Sequence, residues 1–141
     1  MTKILVDTNI ILDLLAKREK FYLEAQQIFS LADTNKIELY ISALSIANTV
    51  YILSNTLKME NSRNILGKFK VLVKTITLSD KIIELALNDF DFGEFEDGIQ
   101  YYSACEVGCD LIITRNVKDF KNSKIPIMTP KEYLAHADIS S

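Results

Sequence analysis

The sequence has no excess of basic residues and very little histidine or cysteine, and each shortage closes off a class of chemistry. Sixteen lysines and arginines stand against 19 acids, a formal net charge of -3. The broad basic field of a protein that coats nucleic acid is therefore missing, so any such contact must be local or helped by a metal. One histidine, His136, and two cysteines, Cys105 and Cys109, leave no ligand set for zinc: the histidine is remote and the C-x3-C pair has no second pair to join it. Met1-Thr2-Lys3 leads into an apolar run without a cleavable leader, so a cytoplasmic protein with reduced, free, buried thiols is expected. Charge is absent from Leu39 to Leu57. That length suggests a membrane span, but Ser42, Ser45, Asn48, Thr49, Ser54, Asn55 and Thr56 make it too polar. The stretch is expected to form a strand and a deeply packed helix, with no membrane contact. Repeats and low-complexity segments are absent as well.

What is present is ordinary for a globular protein: 141 residues, 48% hydrophobic and 25% charged, enough for a single domain over 1–141 with its own core. Lys3 to Asn9, KILVDTN, organises the rest. Ile4, Leu5 and Val6 form a short apolar run suited to a strand buried on both faces. It delivers Asp7 to the place where parallel sheets put their sites, the crevice outside the carboxyl ends of the strands. Asp7 and Asn9 are equally suited to capping the helix that follows. Helical spacing then predicts one helix to about Ala16 and another carrying Phe21, Ala25, Ile28, Phe29 and Ala32. Further elements are a strand over Lys36–Ser42, helices over Ala43–Leu57 and Asn61–Phe69, a peripheral strand over Val71–Thr77, and a helix from Ser79 to about Asn88.

Asp89 to Asp97, DFDFGEFED, packs five acids into nine residues and reads as a loop entering a helix that stops at Gly108, a natural terminator. A third buried strand follows over Cys109–Thr114, then a polar loop over Arg115–Lys124. Ile125–Met128 reads as an edge strand, where proline is tolerated, and Thr129-Pro130-Lys131-Glu132 as a capping box opening the last helix. Strands alternating with helices predict a three-layer α/β/α domain around a mainly parallel sheet.

Three predicted strand ends then offer polar groups: Asp7-Thr8-Asn9, Ser42 and Thr114-Arg115-Asn116. Glu96, Asp97 and Asp119 add acids. Neighbouring strands would bring these together, and carboxylates so crowded repel one another. A hard cation such as Mg²⁺ or Mn²⁺ relieves that repulsion, prefers oxygen ligands and keeps waters, one of which can attack a phosphodiester. Each acid also has a structural explanation: Asp97 as a first-turn acid facing the helix dipole, Asp119 as a turn residue.

The motifs LVDTN, FEDGIQYYSA and LIITRNVKDF, in that order, resemble those of PIN-domain proteins, most closely the small single-domain VapC-like toxins, over Lys3 to about Leu134. The resemblance implies an α/β/α fold, an acidic site holding Mg²⁺ or Mn²⁺, and cleavage of single-stranded RNA by metal-activated water. It further implies a small antitoxin partner and a homodimer. By position, Asp7, Asp97 and Asp119 match acids of the family's metal site, and Thr114 matches the hydroxyl after the late strand. Glu96 is adjacent, and Asn9 can orient a ligand. Thr8 and Thr114 would bind water or phosphate.

Two departures stand out. Asn48 occupies the place of a family glutamate and Asn116 that of an aspartate, so the site should hold one ion more weakly than a four-carboxylate site. The alternative function is accordingly a catalytically weakened PIN fold that binds RNA or protein. Arg115 and Lys118 are placed to bind flanking phosphates of a single-stranded or structured RNA. Lys17, Arg18, Lys20, Lys121 and Lys124 read better as solvated surface than as a groove. Phe90, Phe92 and Phe95 read better as anchors of the acidic loop than as base-stacking groups. A phosphatase of the haloacid-dehalogenase type would need an acid where Asn9 stands, and a receiver domain would carry its aspartate after a later strand.

Overall fold

The computed structural model describes residues 1–140, the last three of these by their backbone alone. Strand β1 (Lys3–Val6) leads into helices α1 (Thr8–Leu15) and α2 (Tyr22–Asp33), then β2 (Glu38–Ser42) and α3 (Ala43–Tyr51). A π-helical turn (Ile52–Thr56) follows, then α4 (Ser62–Phe69), β3 (Lys74–Ile76), α5 (Asp80–Leu87) and α6 (Phe95–Val107). The chain closes with β4 (Leu111–Ile113), a 3-10 turn (Val117–Phe120), β5 (Ile127–Met128) and α7 (Pro130–Ser140). The five strands form one sheet, every pairing parallel, in the order β3-β2-β1-β4-β5.

Alternation along the central strands explains both the sheet and its cover. Ile4, Val6, Leu39, Ile41, Leu111 and Ile113 face one layer, where they pack with Ile10, Ile28, Phe29, Leu66 and Tyr133 of α1, α2, α4 and α7. Leu5 and Ile112 face the other, against Ile82 and Ala86 of α5 and Ile99 and Ala104 of α6. Ile4, Leu5 and Val6 are completely buried, which is why the sequence there is an unbroken apolar run. The result is the expected three-layer α/β/α arrangement. No helix among the described residues is long and apolar enough to cross a membrane.

Local chemistry sets the element ends. Ser42 and Ser79 cap α3 and α5 by accepting from the backbone N–H groups of Ser45 and Ile82, each at 3.2 Å. Gly108 ends α6 at φ +70°, a conformation in which a Cβ would be strained. Thr129 and Glu132 complete the expected capping box with reciprocal bonds of 3.0 and 3.1 Å.

Three expectations need correction. The helix foreseen over Ala43–Leu57 divides at Tyr51, where it widens into the π-helical turn, and it is not buried all round: Ser45, Thr49 and Leu53 face inward, but Tyr51 is 65% exposed. Lack of charge reflected a neutral wall rather than depth. Cys105 is exposed on the outward side of α6, and only Cys109 is buried, its thiol pushed up to about 12 chiefly by that burial. Of the three phenylalanines, Phe92 alone anchors the acidic loop, its ring 5.0 Å from that of Tyr101, whereas Phe90 and Phe95 are exposed.

Gly98 allows α6 to lie close against α5: a Cβ there would stand 3.3 Å from Ala86 Cβ. Gly98→Ala should be near neutral, because relief of glycine's helical entropy cost, about 0.5–1 kcal/mol, offsets the tight contact. Gly98→Leu should cost about 1–3 kcal/mol through overpacking. Urea midpoints of the two variants check the contrast; equal values would mean that the helices part freely.

Candidate active site

The order of the strands creates the site. From β1 the chain builds outward through β2 and β3, then returns to the opposite side of β1 for β4 and β5. Crossovers consequently diverge beside β1, leaving a crevice at its carboxyl end. Asp7 is the first residue past β1. Its N–H donates to Ile113 O at 3.0 Å, and the Val6–Ile113 register sets it beside Thr114, the first residue past β4.

Asp7 is 9% exposed, and its carboxylate is surrounded by donors. Oδ1 accepts from Thr8 N at 2.7 Å and from Gln100 Nε2 at 3.3 Å. Oδ2 accepts from Thr114 Oγ1 at 2.8 Å and from Asn9 Nδ2 at 3.3 Å. The side chain that caps α1 thus also lines the crevice. Burial raises its pKa; the Thr114 hydroxyl and Thr8 amide work against that rise, and the Asp119 charge adds to it.

Gln100 was not singled out from the sequence, yet it ties the pocket floor together. It is 4% exposed, and its Nε2 also reaches Ser45 Oγ at 2.9 Å and Thr8 Oγ1 at 3.3 Å. Ser45 in turn shares hydrogen bonds with Thr8 at 2.8 Å and with the Ser42 hydroxyl at 3.2 Å. The available signal was helical spacing: Gln100 lies three residues after Asp97 on α6, and so shares its face.

Asp97 faces the same crevice as Asp7. With Thr8, Asn48, Glu96 and Gln100 they line a cavity of about 280 Å³, and Tyr51 and Ile52 complete the wall. The Asp97 carboxyl is pushed up to about 7, first by burial and then by the charges of Asp7, Asp119, Glu94 and Glu96. Asp119 is exposed and lies outside the cavity lining, but its charge acts on both acids. Asn116 and Lys118 are exposed too, and the Asn116 N–H donates to Thr114 Oγ1 at 3.0 Å.

Arg115 has a partner within the fold. Its Nε and Nη2 donate to Asp13 at 2.7 and 3.2 Å, and its guanidinium lies 3.9 Å over the Phe21 ring. Asp13 is 1% exposed, and a buried carboxylate demands a partner. That demand takes up the guanidinium which the sequence had offered to phosphates.

The donor set suits a hard cation held by few protein oxygens and several waters. Among the described residues no three acidic, histidine or cysteine side chains converge closely enough to hold an ion unaided. The two long bonds to Asp7, both 3.3 Å, come from amides whose own oxygens, Asn9 Oδ1 and Gln100 Oε1, are buried without a partner. Turning either amide end for end would offer that oxygen to a cation and release the carboxylate, so the arrangement fits the group.

Comparison with known proteins follows from this geometry. Residues 3–118 match the sequence profile of the PIN domain. The chain belongs to the PIN-domain family. This PIN domain is 28% identical over 134 residues to Ribonuclease VapC1 of Aquifex aeolicus, covering 93% of this chain and 92% of that one. A DNA-bound VapBC complex from Salmonella typhimurium contains a chain that superimposes with a TM-score of 0.70 at 17% identity, over 92% of this chain and 99% of that one. A toxin–antitoxin complex from Klebsiella pneumoniae gives 0.65 at 26% identity, over 89% and 96%.

The raised Asp97 carboxyl has a consequence for stability. Its folded value, about 7, exceeds the ordinary 3.8, so the folded protein keeps a proton that the unfolded chain releases. The associated stability is fully present below the unfolded value and is lost as the pH rises through about 7. The full shift would be about 4 kcal/mol; with the group half open to solvent, about 1–2 kcal/mol is expected. Metal-free Asp97→Asn should exceed wild type by that amount at about pH 8 and match it near pH 4. Urea unfolding in a chelator measures the gap; a gap independent of pH would show that Asp97 is not strained.

Proposed function

We propose that this PIN domain is a metal-dependent endoribonuclease that hydrolyses phosphodiester bonds of single-stranded RNA, and that it is the toxin of a toxin–antitoxin pair. The observation that carries this reading is the meeting of Asp7 and Asp97, distant in sequence, in one small cavity at the end of the central strand. The relative named as a ribonuclease and the toxin–antitoxin complexes of the same fold support it.

Asp7 and Asp97 would hold Mg²⁺ or Mn²⁺, with Asp119 adding charge from outside and Asn48 and Asn116 as neutral ligands or positioning groups. Bound there, the ion would neutralise phosphate charge and supply an acidified water for attack. Thr114 keeps Asp7 in place through its 2.8 Å bond, while Thr8, which lines the cavity, would meet water or phosphate. Glu96 adds negative field at the rim, and Lys118 is exposed for a flanking phosphate. A small antitoxin, a homodimer and a cytoplasmic setting complete this reading.

The test is cleavage of a labelled single-stranded RNA with Mg²⁺ or Mn²⁺ and with a chelator. Cutting that depends on the ion supports the proposal; equal cutting in both refutes it. One observation favours a second reading, a weakened PIN fold that only binds: no three acids converge among the described residues. Titration calorimetry with Mn²⁺ separates the two, since a dead site shows no saturable heat.

A further inference from the structure

The cavity has two unlike walls. One, from α6, carries Glu96 and Asp97; the other, from the end of α3 and the start of the π-helical turn, presents Asn48, Tyr51 and Ile52. These three are spaced i, i+3 and i+4, so they share one helical face. Tyr51 is 65% exposed although it stands at a cavity wall, an unusual position for a large ring without a partner. The chain opens into its π-helical turn at the next residue, Ile52, and such widenings concentrate at functional sites.

Charge decides what this wall takes. From Leu39 to Leu57 there is no charged side chain, so the wall brings no counter-charge to a phosphate. The opposite wall repels phosphate unless a cation intervenes. The neutral part of a nucleotide is its base, and the α3 wall offers what a base needs: an aromatic face for stacking and an aliphatic neighbour. We infer that Tyr51, with Ile52, forms a subsite for an unpaired nucleobase next to the scissile phosphate.

This subsite rests on the ribonuclease reading and deepens it. Stacking requires the base to be free of a helix, which makes single strands the substrate. A helical partner would have to displace its own stacking first.

The test compares wild type, Tyr51→Ala and Tyr51→Phe on a labelled single-stranded RNA of mixed sequence. The same RNA is also made with an abasic residue on either side of the mapped cut. Tyr51→Ala should lower kcat/KM by about 10- to 100-fold on intact RNA, the range found when a stacking ring is removed. Tyr51→Phe should restore it, because stacking needs the ring and not the hydroxyl. On one of the two abasic substrates wild type and Tyr51→Ala should be equally slow. Melting curves should coincide, since Tyr51 lies at the surface, and Mn²⁺ binding by calorimetry should be unchanged. Wild-type kcat/KM in Tyr51→Ala, or an equal loss on every abasic substrate, overturns the subsite and leaves the nuclease intact. Unchanged cleavage with altered mass on gel filtration would make Tyr51 a protein contact instead, which also overturns it. Failure of wild type to cut any RNA overturns both readings together.

Discussion

Asp7→Asn should lower metal-dependent RNA cleavage by more than about 100-fold, the upper end of the loss seen when only an outer partner of a metal ligand is removed. The substitution keeps the shape of the side chain but replaces one accepting oxygen with a donor. At the Oδ1 position that donor would face the Thr8 N–H, 2.7 Å away, and lose the bond; at the Oδ2 position it meets the Thr114 hydroxyl, 2.8 Å away, which can turn to accept, so the loss is of charge assistance. Against that loss stands relief of a buried charge whose pKa burial has raised. The two effects oppose, and net stability should move by no more than about 1 kcal/mol. Activity should therefore collapse in a folded protein. Gln100→Leu should be milder, a loss of about 10- to 100-fold, because it removes contacts to Asp7, Thr8 and Ser45 without removing a charge. The measurements are initial cleavage rates in Mn²⁺, with far-UV dichroism as the check on folding. Asp7→Asn within about threefold of wild type would contradict the proposed role, since loss of a carboxylate that held the ion would not be that mild.

The legible and illegible parts of this site differ in how local their causes are. Asp7 was a candidate because a strand buried on both faces leaves an apolar run that points to the crevice of a parallel sheet, although capping explained the same acid equally well. Ser79, Gly108 and Thr129-Glu132 could be read because capping is settled within four residues. Asp97 became a candidate only through its joint placement with the strand-end acids, since a first-turn acid alone means only a favourable helix dipole. Gln100 was passed over because an amide on a helix carries no local sign of what it touches: its partners Asp7, Thr8 and Ser45 come from other elements. The division of the helix at Tyr51 was hidden by a stretch with neither charge nor periodicity to mark an outer face. The pairing of Arg115 with Asp13 was hidden for the same reason, its partner lying on α1, more than a hundred residues earlier in the chain.

That partnership sets the largest stability effect expected outside the core. Asp13 is 1% exposed and receives two bonds from Arg115, while Arg18 approaches only to 3.5 Å from a more exposed position. Arg115→Met should cost about 3–5 kcal/mol, because it leaves a buried carboxylate without its main counter-charge. In a domain whose whole stability is about 5–15 kcal/mol, that approaches unfolding. Taking both charges out of water was itself costly, so the pair need not outperform a neutral replacement. Asp13→Asn together with Arg115→Met should recover most of the loss and leave the double variant within about 1–2 kcal/mol of wild type. Urea midpoints of the wild type, both single variants and the double variant give the coupling energy directly. Additive losses would show that Asp13 is satisfied by Arg18 and solvent, and that Arg115 contributes by stacking on Phe21. A large coupling would instead show that the ion pair itself ties the turn after β4 to α1.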